Sequence, residues 1–172
     1  MKKALHVAVL ALTTAFAAVA QPRAIGGRIG WGVEVSYQHN LGDNFLELDL
    51  GLPGWGGLGI GLTGVYDFII AEPEWTPGTW TFYAGPGLQV GSSFGPGYSA
   101  FNFGLVGQVG LSYKFEFPLE LSVDLRPGLG IATGNTTDGE GNRVGYGPVF
   151  YPRQGIEFVA LLVPCIGVRY AF

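Results

Sequence analysis

Arg28, Lys114, Arg126 and Arg169 share one strand face with Glu34, Glu47, Asp49, Asp67, Glu120 and Asp124, back to back with rows of Leu, Ile, Val and Phe. Charges of both signs gathered on one face suit two kinds of chemistry. They line a path for an ion or polar solute, or they pair across an enclosed space and fill it. Charges shut away from water are costly unless partnered, so a narrow enclosure favours pairing. Asp124 and Arg126 lie two residues apart, as do Glu47 and Asp49, so each couple points the same way from an extended chain. The expected structural network is Arg28, Glu47, Asp49, Glu120, Asp124, Arg126 and Arg169, with Arg126 and Arg169 as its central cations.

A second constellation is Ser36, His39, Asp43 and Glu47. Hydroxyl, imidazole and carboxylate are the parts of a nucleophilic acyl-transfer site. His39 sits in a polar turn, where an imidazole is most simply solvated, so no catalytic residue is assigned. No cofactor or metal site is expected either. Cys165 is the single cysteine, which excludes an intramolecular disulfide or a cysteine zinc site. It has inward parity and reads as a small filler.

The elements that must position these residues are strands. Ile29, Trp31, Val33, Val35 and Tyr37 alternate with Arg28, Gly30, Gly32, Glu34 and Ser36. Leu46, Leu48, Leu50 and Leu52 alternate with Glu47, Asp49 and Gly51, and similar runs cover 58–68, 80–90, 101–115, 119–129 and 166–172. This period of two is that of β-strands, and no stretch after residue 20 carries a helical stripe. Two closed architectures use such alternation: a ligand-binding barrel with its apolar face inside, and a membrane barrel with that face outside. Volume separates them. Eight strands enclose a space that side chains just fill, and this many Leu, Phe, Tyr and Trp residues cannot enter it. A closed barrel also satisfies every backbone group in lipid. The expected fold is therefore all-β: an eight-stranded antiparallel transmembrane up-and-down barrel.

Seven strands are clear, and an even count places the eighth in the first stretch, split into Ala24 to Ile29 and Val33 to Gln38 about Gly30-Trp31-Gly32. An alternative puts an extra hairpin arm in Val144 to Tyr151. His39 to Asn44, Ala71 to Gly78 and Glu116 to Pro118 read as periplasmic turns. Pro53 to Gly57, Gly91 to Ser99 and a long, mobile Thr133 to Gly155 read as extracellular loops. Pro86, Pro127 and Pro164 lack the donor a strand ladder needs, so each marks a bulge or strand end, with Gly85-Pro86-Gly87 the first choice for a bulge.

Lys2 and Lys3, the apolar run Leu5 to Ala17 and the small-x-small site Ala18-Val19-Ala20 read as a secretory signal peptide over residues 1–20, leaving one domain over 21–172. Charged residues are 13% of the chain against about 25% in a typical soluble domain. The net charge of −4 disfavours a nucleic-acid partner.

The motifs Ser36-Tyr37-Gln38-His39, Leu46-Glu47-Leu48-Asp49-Leu50-Gly51, Tyr83-Ala84-Gly85-Pro86-Gly87, Pro118 to Pro127 and Gly167-Val168-Arg169-Tyr170-Ala171-Phe172, in that order, resemble the small outer-membrane β-barrel family of the Bacteroides group. The resemblance implies an eight-stranded barrel in the cell outer membrane, surrounded by its lipid, and brings no catalytic residues. It also leaves room for an unidentified outer-membrane or extracellular partner. Trp31, Tyr37, Trp55, Trp75, Trp80, Tyr170 and Phe172 then fit interfacial aromatic girdles. Carbohydrate stacking on an exposed loop, with Trp55 as its first candidate, is the competing use. Three function classes follow: a non-enzymatic structural or surface-interaction protein, a lipid-modifying enzyme, and a narrow pore.

Overall fold

The computed structural model describes residues 22–30, 32–53, 58–138, 141–151 and 163–172. The expected leader, Trp31 and Trp55 lie outside them. The described residues form ten strands: β1 (Pro22–Ile29), β2 (Gly32–Asn40), β3 (Asn44–Pro53), β4 (Leu58–Ala71), β5 (Thr79–Gly95), β6 (Tyr98–Lys114), β7 (Glu120–Leu125), β8 (Gly128–Thr137), β9 (Arg143–Tyr151) and β10 (Pro164–Ala171). Every pairing is antiparallel. β1 through β7 join neighbour to neighbour, and β10 closes the ring between β7 and β1, giving an eight-stranded barrel. β8 and β9 lie outside that ring.

The ring is staggered. Successive partners run from Ala24 through Gln38, Glu47, Val65, Gly87 and Val106 to Gly128. In the other direction Ala24 meets Ala171, whose N–H donates to Pro118 O. The offset between Pro118 and Gly128 is a shear of about ten residues. With eight strands ~4.8 Å apart and a rise of ~3.3 Å per residue, that shear sets a tilt of roughly 40° and a backbone radius of about 8 Å. So small a radius leaves room for side chains and no wide channel.

The split of the first stretch at Gly30 is present, with Gly30 N–H bonded to Gly32 O across the hairpin. The extra arm also exists, as β9, outside the ring. Gly91 to Ser99 is not a loop. β5 and β6 run on to a two-residue turn, Pro96-Gly97, where Gly97 takes φ 76°. Proline followed by a left-handed glycine is the signature of a type II turn. Most of Thr133 to Gly155 is likewise strand, as β8 and β9 joined across Asp138 to Asn142; residues 152–162 are outside the described set.

The expected bulge at Gly85-Pro86-Gly87 is absent, since β5 keeps one register against β6 straight through Pro86. Gly85 instead permits close approach, because a Cβ there would collide with Tyr66 O. The irregularity of β4 falls at Ile70. Pro127 ends a strand, yet β7 and β8 hold the same register on β6, and Gly107 N–H donates to Pro127 O across the gap. β8 thus prolongs the line of β7 beyond the barrel. Pro164 opens β10.

Inside and outside are sorted as the alternation requires. Leu50, Phe103 and Val123 face outward with 52%, 47% and 53% of their surface exposed. So do Val35, Leu62, Leu88, Leu105, Val109 and Val168. Arg28, Glu47, Asp49, Asp124 and Arg169 are buried.

Candidate functional site: the charged interior

Short side chains and glycines leave the barrel axis to long polar ones. The Arg28 guanidinium, from β1, places Nη1 3.0 Å from Glu34 Oε2, 3.0 Å from Asp49 Oδ2 and 3.4 Å from Glu47 Oε1. Its Nη2 reaches across the barrel to Asp124. Arg126, at the junction of β7 and β8, donates from Nε to Gln108 Oε1 at 2.7 Å and from Nη2 to Glu47 Oε1 at 3.0 Å and to Asp49. Arg169, from β10, donates to Ser36 Oγ at 3.0 Å, Ser122 Oγ at 2.7 Å and Glu47 Oε2 at 3.0 Å. Glu47 also accepts from Gln38 Nε2 at 2.6 Å. Glu47 therefore touches all three arginines, and those arginines come from strands distant in sequence.

Toward Phe172, Glu120 lies 3.6 Å from Arg169 Nη1 and 3.7 Å from Arg23 Nη2, and the Arg23 guanidinium sits 4.1 Å over the Phe45 ring. On the far side Tyr83 OH donates to Asp124 at 3.4 Å, and Gln108 Nε2 donates to Asp67 at 3.3 Å. The network thus spans every wall of the barrel, and charge-assisted bonds of this kind are the stronger class of hydrogen bond.

All seven residues expected in the network meet inside the barrel, together with Glu34 and Asp67. Lys114 does not: its Nζ sits at the exposed turn end and donates to Phe172 O at 2.9 Å. Arg126 and Arg169 are both engaged, and Arg28 joins them: like Arg169 it has no exposed side-chain surface, and it faces Glu34, Glu47, Asp49 and Asp124. Parity placed Arg28 inside; only the shear shows that it sits level with Asp49 and Asp124. Arg23 and Gln38 are further participants, and the inward parity of Gln38 was a readable signal for the second.

Ser36, His39, Asp43 and Glu47 are not brought together. Ser36 is buried against Arg169, whereas His39 lies on the outer face with Nδ1 3.1 Å from Tyr37 OH. Asp43 is exposed in the β2–β3 turn. Cys165 faces inward beside Gly30, where a Cβ would strike its sulfur.

An aromatic cluster rings the end at which β10 finishes. Ring centroids are 5.6 Å apart for Trp75 and Trp80, 4.6 Å for Trp80 and Tyr113, 4.6 Å for Tyr113 and Phe115, 4.9 Å for Phe115 and Phe117, and 5.1 Å for Tyr170 and Phe172. Trp80 Nε1 donates to Thr76 Oγ1 at 2.9 Å, so its polar edge is satisfied while its ring stays apolar. No protein-family model, curated protein or solved structure matches the chain.

Proposed function

We propose that the protein is an integral outer-membrane β-barrel without catalytic activity, serving a structural or surface-interaction role. One observation carries this reading: the outer wall of a closed barrel is a continuous apolar band, and its charges are inside. Soluble proteins rarely leave apolar patches above a few hundred Å² in water, whereas lipid is the natural solvent for such a band. The aromatic ring from Trp75 to Phe117, with Tyr170 and Phe172, fits the level of the lipid headgroups. That end would face the periplasm, and the β5–β6 and β8–β9 hairpins would stand outside. Membrane lipid is then the constant partner, and the protruding hairpins are the surface for any further one. Membership of the Bacteroides-type barrel family fits the same picture and rests on the motifs alone.

Reconstitution tests this. The protein should need detergent to stay monomeric, insert into liposomes, and give no steady conductance steps in planar bilayers, because the arginine–carboxylate network fills the lumen. A monomer stable in plain buffer would overturn the membrane reading. A steady single-channel current would overturn the filled lumen and favour the narrow pore.

A further inference from the structure

β5, β6, β8 and β9 rise beyond the ring and carry a groove of about 450 Å³ on their outer face. Register fixes its make-up. Ser92, Phe101 and Thr133 form one cross-strand row, and Phe94, Ser99 and Asn135 form the next. Asn135 continues onto Gly145 of β9. Ser99, small and next to both the Phe94 and Phe101 positions, and Gly145, at the far end of the Asn135 row, leave the depression.

The groove has no charged lining residue. Its two phenyl rings are about half exposed. Ser92 and Thr133 hydroxyls are anchored by donating to Ala100 O at 3.2 Å and Tyr146 O at 3.0 Å, which leaves their oxygens as acceptors. Aromatic faces beside fixed hydroxyls and a carboxamide suit a sugar ring, which offers C–H groups to the rings and O–H groups to the polar atoms. Directly below on the same strands, Leu88, Phe103, Leu105, Leu129 and Ile131 face outward as an unbroken apolar track.

We infer that this groove seats a sugar of a glycolipid headgroup whose acyl chains lie along that track. The inference rests on the membrane reading and adds a ligand class to it. In water a free glycan has the same sugar chemistry but no use for the track, so the groove is assigned to the lipid-linked form.

Native mass spectrometry of the protein in phosphatidylcholine nanodiscs doped with a deep-rough lipopolysaccharide tests it. The wild-type protein should retain the glycolipid after ejection from the nanodisc. Phe94→Ala/Phe101→Ala and, separately, Asn135→Leu should each lower the retained fraction at least fivefold while the unheated protein still migrates as a folded barrel. Equal retention by wild type and variants would overturn the proposal. So would equal binding of the delipidated core oligosaccharide. Failure of the wild-type protein to insert into nanodiscs would instead remove the membrane reading beneath it.

Discussion

Arg28→Met should destabilise the folded barrel by about 3–5 kcal/mol, the cost of removing one partner from a buried ion-pair network. The side chain is fully enclosed, and Glu34, Glu47, Asp49 and Asp124 all face its guanidinium. Removing the cation takes the arginine away from Asp124 and leaves Arg126 and Arg169 to offset Glu34, Glu47 and Asp49 in a space that water does not freely enter. Unfolding in detergent by chemical denaturant, followed by tryptophan fluorescence, measures the loss. A companion carrying Asp124→Asn as well should recover part of it, because fewer uncompensated charges then remain. A loss below about 1 kcal/mol would match an exposed ion pair and would mean that the interior is hydrated.

Leu48→Arg should cost roughly 2–4 kcal/mol in a bilayer, the penalty for a cation near mid-depth on the lipid face of a barrel. Leu48 lies on the outer face of β3, between Tyr37 of β2 and Gly64 of β4, and its Cδ2 is 3.3 Å from where a Gly64 Cβ would stand. Thr136→Arg, exposed on β8 beyond the ring, should stay within about 0.5 kcal/mol. Folding equilibria in liposomes compare the two. Equal tolerance at both positions would deny that the Leu48 face meets hydrocarbon.

Period-two alternation made the strands and their faces legible. Leu46 to Leu52 against Glu47 to Gly51 fixes which side of β3 is which, and a one-residue slip would invert it. Volume then assigned the charges to the interior. Connectivity was harder to read. Polar, glycine-rich segments such as Gly91 to Ser99 look like loops because the tip of a protruding hairpin carries too few apolar residues to betray its strands. Pro86 looked like a bulge because composition cannot tell which ladder a missing N–H interrupts; its neighbours hold register on β6 regardless. Within the site, parity named the charged residues, while the pairing of Arg28 with Asp124 and of Arg126 with Asp49 depends on the stagger between strands far apart in the chain. Lys114 misled for the same reason, since inward parity at the last residue of β6 puts its amine at the rim.

Spin labels on single cysteines, introduced in a Cys165→Ser background and measured in liposomes, test the orientation of the wall most directly. Labels at Leu50, Val109 and Val123 should collide far more with lipid-dissolved oxygen than with a water-soluble nickel chelate, and a label at Thr137 should do the reverse. Labels at those three positions that are immobilised and shielded from both reagents, with an oxygen-rich label at Ser122, would mean that the barrel is inside out and that its greasy face is a core.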